Sequence, residues 1–179
     1  MHPRIEEVVG YLDQTRADLQ SAVESVATNR RDERPSENQW SVAEILEHLN
    51  IIERRISGLL AGTIDAAKAS GLGEETQTSS VLDTIDRGRV GDRTNKIEAP
   101  EMVKPKSDTD AATAWLALQQ SRENLRAAFM SGDGIALSEL KQNHPALGLI
   151  DMYQWTLFVG AHEARHTKQV REIADQFGS

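Results

Sequence analysis

The sequence predicts an all-α protein, a four-helix bundle with one long connection between its second and third helices. Three observations carry this. Four segments repeat apolar residues at helical spacing, two of them open on a capping box, and no segment alternates convincingly as a strand does.

The first helix begins near Pro3, a residue suited to an opening turn, and its apolar positions are Ile5, Val8, Val9, Leu12, Leu19, Val23 and Val26. The second follows "NQWSVAEILEHLN". There Ser41 can accept from the Glu44 N–H while the Glu44 side chain reaches back to the Ser41 N–H. Its buried face holds Ile45, Leu49, Ile52, Ile56 and Leu59. The third starts after "KSDTD", carries Trp115, Leu118, Leu125 and Phe129, and stops at the breaker "SGDG" at residues 131–134. The fourth opens on Asp151 and Gln154, which resemble a second capping box, and runs to about Phe177, where Gly178 is the stop signal. Residues 70–107 join helices two and three. A connection that long is uncommon in a compact domain unless it is functional or disordered. The reading places a short helix over residues 80–87 and lays the rest over one end or side of the bundle.

The 179 residues fit one domain spanning positions 1–179, long enough to bury a core without staples. A net charge of −8 argues against nucleic acid and anionic membranes as partners. The chain has no cysteine, which removes disulfide frameworks, thiolate zinc sites and cysteine nucleophiles, and suits a reducing compartment. The start "MHPRIEEVVG" lacks the basic and apolar regions of a signal peptide, and no apolar run is long enough to span a bilayer. The expectation is a soluble, cytoplasmic protein.

The stretch "AHEARHTKQ" contains H-E-x-x-H, the zinc-protease signature. His162 and His166 lie one helical turn apart and can grip one ion together. The rest of the signature is missing. The extended form of the motif needs glycine at 169 and histidine at 172, where this chain has Gln169 and Glu172. A carboxylate on a later helix has little room, since thirteen residues follow His166, and no sheet is evident to hold a peptide. Glu163, about 100° around the helix from His162, reads as a solvated flank. A third ligand must come from upstream, and His48 is the candidate, on the inward side of helix two with Ile45, Leu49 and Ile52. Helix four has its own inward stripe of Trp155, Phe158, Val159, His162, His166, Gln169 and Ile173. Two inward stripes interrupted by imidazole can build a three-histidine site, as bundles often do. A lone inward histidine is also commonly a satisfied core residue, so both readings stand at this point.

"WSVAEILEHLNIIERRI" and "HPALGLIDMYQWTLFVGAHEARHTKQVREI", with "APEMVKP" at 99–105 between them, resemble the DinB-like superfamily, the DinB/YfiT-like metalloenzymes. The shared features are Trp-Ser opening helix two, a histidine seven residues after that serine, and H-x-x-x-H late in the last helix. The resemblance covers about residues 40–173 and implies an up-and-down-type four-helix bundle with a long crossover between helices two and three. It also implies a divalent metal held by His48, His162 and His166, and a small-molecule substrate. It implies a homodimer, and either thiol-dependent S-transfer (with mycothiol, bacillithiol or glutathione) or hydrolysis.

Three neutral imidazoles leave an ion its full double charge, so a water or thiol reaching it would lose a proton readily. Any low-molecular-weight thiol would be a cosubstrate, since the chain has no cysteine. All-nitrogen ligation suits zinc, nickel, iron or copper alike. A non-catalytic bundle that binds a metal or small ligand is the alternative, and no catalytic residue is assigned. Around the site, Glu44 could orient an imidazole, although its capping role already explains it. Trp155 could wall a pocket or simply pack, and Gln169 could touch a ligand or brace His166. Arg87, Arg89 and Arg93 could receive an anionic substrate or be surface charge. His144, before Pro145 in a turn, reads as structural, and His2 as frayed terminus.

Overall fold

The computed structural model describes residues 1–94 and 98–178. Four long helices dominate it: α1 (Pro3–Glu24), α2 (Val42–Ala69), α4 (Ala111–Met130) and α5 (Met152–Phe177), with a single turn of helix, α3 (Arg87–Val90), in the crossover. The fold is therefore the all-α bundle that the periodicity predicts. Both capping boxes are present, Ser41 with Glu44 and Asp151 with Gln154, and Gly178 ends α5 in the left-handed region at φ 72°.

The apolar core falls into two clusters. One takes Ile5–Leu12 of α1, Ile56–Ile64 of α2, Leu125 and Phe129 of α4, and Met152–Val159 of α5. The other takes Leu19–Val26, Val42–Leu49, Ala114 with Leu118, and Val170–Ala174. Because α1 and α5 meet the first cluster with their N-terminal halves and α2 and α4 with their C-terminal halves, the order is up, down, down, up. The long crossover expected between the second and third long helices is what lets α2 and α4 run the same way. Two consecutive helices that run the same way need a connection as long as themselves, on the order of 40 Å for a helix of this size. That accounts for residues 70–110. The connection contributes to the core, since Val81, Ile85 and Val103 are buried.

Between the two clusters each long helix places one charged residue. They are Arg16 on α1, Glu53 on α2, Arg122 on α4 and Glu163 on α5, of which the last three are 2%, 4% and 0% exposed. Arg122 donates to Glu163 Oε2 at 2.6 Å, to Glu53 Oε1 at 3.0 Å and to the Leu12 carbonyl at 2.7 Å. Arg16 donates to Glu53 at 2.8 Å and Glu163 at 2.9 Å, and the Ser121 hydroxyl donates to Glu53 Oε2 at 2.8 Å. The layer is neutral overall, as a buried charge cluster must nearly be. It overturns the placing of Glu163 on a solvated flank. In the bundle, α5 turns one face to α2 and another to α1, and Arg122 reaches Glu163 from α4 across the middle, so a residue 100° from an inward one is inward too.

Three further expectations change. The chain does form a small sheet, the antiparallel hairpin β1 (Lys141–His144) and β2 (Gly148–Asp151), in which His144 pairs with Gly148. Its strands are four residues long and mostly exposed, too short to show alternation. The turn closes through Gly148 at φ 74°, a conformation that side chains disfavour. The short helix expected over 80–87 begins instead at Arg87, because the Asp86 side chain accepts from Arg89 N–H and sets the start there. His2 is not frayed: its ring accepts from Arg4 N–H as the cap of α1, and its own N–H donates to Asp133 at 2.7 Å. Finally, α1 lies so close to α5 that a Cβ on Gly160 would stand 2.5 Å from the Tyr11 ring.

Candidate metal centre

α2 and α5 face each other over the second half of the bundle, and His48, His162 and His166 meet there. One ring nitrogen from each lies within 4.8 Å of the others. His48 Nε2 is 3.3 Å from His162 Nε2, and His166 Nε2 is 3.2 Å from the same atom. His48 and His166 are 3% and 6% exposed, and His162 is half-buried.

The outer nitrogens fix the tautomers. His48 Nδ1 lies 2.7 Å from the carbonyl oxygen of Val103, which can only accept, so Nδ1 carries the proton. His166 Nδ1 lies 2.9 Å from Gln169 Oε1, again an acceptor. Both rings therefore turn an Nε2 lone pair toward His162. One proton on His162 Nε2 could satisfy one of those lone pairs and would leave the other facing it. A cation satisfies all three. The spacing agrees: two nitrogens about 2.05 Å from one ion at a tetrahedral angle stand about 3.4 Å apart. The donor set fits a divalent transition metal.

Electrostatics keeps the rings neutral, as ligands must be. Burial, followed by the nearby His48, Arg165 and His144, pushes the His162 imidazole down to about 3. Burial is also the main cause that drives His166 well below the ordinary range, and it lowers His48.

The other candidates divide. Gln169 braces His166, which ties it to the centre. Glu44 does not reach the histidines. It completes the capping box and pairs with Arg34 and Ser107. Trp155 is buried in the first core cluster, 4.7 Å from the His144 ring. Arg87 bonds Asp83 and lies over Tyr11, and Arg93 bonds Glu172 at 2.7 Å, so both have protein partners. Arg89 is exposed. Three contributors escaped the sequence reading as parts of the site. The Trp40 ring lies 5.0 Å from His48 and stacks 6.3 Å from His166. Phe158 stacks on His162 at 5.5 Å. The Val103 carbonyl is main chain and leaves no signature in side-chain identity. Trp40 stood in the Trp-Ser motif, and Phe158 on the inward stripe of helix four.

Residues 11–170 match the family description "DinB superfamily". The chain belongs to the DinB superfamily. A curated relative, "Uncharacterized protein YuaE" of Bacillus subtilis (strain 168), is 26% identical over 165 residues, covering 92% of this chain and 95% of that protein. No solved structure matches. Among the described residues, no helix is long and apolar enough to cross a membrane.

Proposed function

We propose that this DinB-superfamily protein is a divalent-metal-dependent enzyme for a small-molecule substrate, either a thiol-dependent S-transferase or a hydrolase. The observation that supports it is the convergence of three Nε2 lone pairs, two of them aimed by fixed Nδ1–H donors. An ion held by three neutral imidazoles supplies charge that lowers the pKa of a thiol or water reaching it. The chain's residues supply the remainder. Val103 and Gln169 hold two rings in orientation, an outer-shell role that commonly decides metal affinity. Trp40 and Phe158 flank the rings with apolar surface, which excludes water and strengthens electrostatic interactions inside. A transferase would take its thiol from a cosubstrate, since the chain has no cysteine. Zinc or nickel as the ion, a homodimer and a cytoplasmic location belong to the same proposal.

Elemental analysis of the purified protein beside His48→Ala and His166→Ala is the first test. One ion per wild-type chain is expected, with loss in both variants. A folded wild type that takes up none of zinc, nickel or iron refutes the metal centre. The loaded protein is then assayed with low-molecular-weight thiols plus electrophiles, and with ester and amide panels. Full occupancy without turnover on either set refutes the enzyme and leaves a bundle that binds metal without catalysis.

A further inference from the structure

The hairpin carries one more buried histidine, and its proton sits on the opposite nitrogen from those of His48 and His166. His144 is 8% exposed and packs its ring 4.3 Å from Phe158 and 4.7 Å from Trp155. Phe158 stacks in turn on His162, so one aromatic ring bridges His144 and the candidate metal centre. His144 Nδ1 accepts from the backbone N–H groups of Ala146 at 3.1 Å and Leu147 at 3.2 Å. A nitrogen that accepts two N–H bonds carries no proton, so the neutral ring holds its proton on Nε2. Among the described residues nothing accepts that Nε2–H, and the atom is not sealed from solvent.

The contrast with the ligand set is chemical. His48 and His166 keep the proton on Nδ1 and present a lone pair, whereas His144 keeps its lone pair for the turn and presents a proton. His144 is thus built as a donor and not as a fourth ligand. Its Nε2–H, held in place by the two turn bonds to Nδ1 and answered by no acceptor among the described residues, is free to meet an oxygen from outside the chain.

Resting on the metal-centre reading, we propose that His144 anchors the substrate, its Nε2–H donating to a carboxylate oxygen of a small molecule whose other end lies at the three histidines. The tautomer makes His144 selective for an acceptor, and the turn that fixes the tautomer also fixes where the donor stands. His144 would then be a specificity residue, deciding which thiol or ester is held in register with the ion.

The test separates this role from the turn. In His144→Asn, the side-chain oxygen can still accept from the Ala146 and Leu147 N–H groups, as asparagine does in turns, but the Nε2 donor is gone. Cobalt-loaded wild type and variant are titrated with 3-mercaptopropionate and 5-mercaptopentanoate, and with the matching plain alkanethiols, while the cobalt absorption is followed. Wild type should bind the carboxylated thiols more tightly. The variant should lose about tenfold of that preference while taking up cobalt and plain thiols as wild type does. In zinc-loaded wild type, the His144 Nε2–H proton resonance should move with a carboxylated thiol and stay with a plain one, a readout that needs no variant. A preference kept by His144→Asn, a wild type with no preference at either chain length, or an unmoved resonance overturns the proposal. Wild type that binds no cobalt removes the metal centre itself, and this proposal with it. That outcome is distinct from a loaded protein indifferent to the carboxylate.

Discussion

Replacing Arg122 with methionine tests the central charge layer most sharply. Methionine follows the aliphatic stem but carries neither charge nor donor. The change removes bonds to Glu53, Glu163 and the Leu12 carbonyl, and leaves Arg16 alone between two carboxylates at 2.8 and 2.9 Å. The layer would go from neutral to one net negative charge. Breaking a buried pair from one side costs about 3–5 kcal/mol. Chemistry sets a ceiling, because a carboxylate can escape by taking a proton. For a glutamate of ordinary pKa, about 4.3, that costs about 3.7 kcal/mol at pH 7 and about 1 kcal/mol at pH 5. The expected loss is therefore about 3–4 kcal/mol at pH 7, shrinking markedly by pH 5. Urea unfolding reads it directly. With a slope of about 2 kcal/mol per molar, the midpoint at pH 7 should fall by roughly 1.5–2 M. A loss below about 1 kcal/mol, or one independent of pH, would show that the layer is not acting as a closed set of compensating charges. Replacing all four residues together with apolar ones of similar size should be neutral or stabilising by about 1–4 kcal/mol.

Three further outcomes follow from the same geometry. Gly160→Ala should destabilise by about 1–3 kcal/mol, since the new methyl drives into the Tyr11 ring across the α1–α5 contact; an unchanged thermal midpoint would mean the helices part freely there. Gln169→Leu frees the His166 ring and should weaken metal affinity about 10- to 100-fold with little loss of stability, measured by competition with a chelator. The metal-free protein should lose stability as pH falls below about 6.5, because His162 is pushed down to about 3 and His48, His144 and His166 are also lowered. The unfolded chain binds more protons than the fold across that window, so stability rises with pH up to the unfolded value and is flat above it. Each ring adds up to about 1.4 kcal/mol per pH unit, and a midpoint that does not move between pH 7 and 5 would show that the rings are protonated in the fold.

The helices were legible because each carries its own instructions. Ser41 with Glu44 and Asp151 with Gln154 cap through contacts three residues apart, and the apolar spacing of α2 marks which side is buried before any partner is known. The i, i+4 spacing of His162 and His166 is local in the same sense, and His48 could be placed on an inward stripe. What lay beyond reach was everything set by a neighbour distant in the chain. The hairpin's strands pair with each other and show almost no alternation, so Lys141–His144 reads as loop. Glu163 looked solvated because one helix seen alone has one inward face, while the bundle gives α5 two. Arg16, Glu53 and Arg122 carry no mark of burial in the sequence of their own helices for the same reason.

The sequence by itself determined the number of long helices, where the capped ones begin and that His162 and His166 could share an ion, since periodicity, capping and histidine spacing act over a few residues. Only the tertiary structure decided the up, down, down, up order, the buried charge layer and the direction of each ring's proton. The physical reason is that a lone pair's direction and a charge's cost depend on what lies across the gap. The Val103 carbonyl that fixes His48 comes from a segment 55 residues away, and the partners of Glu163 come from two other helices.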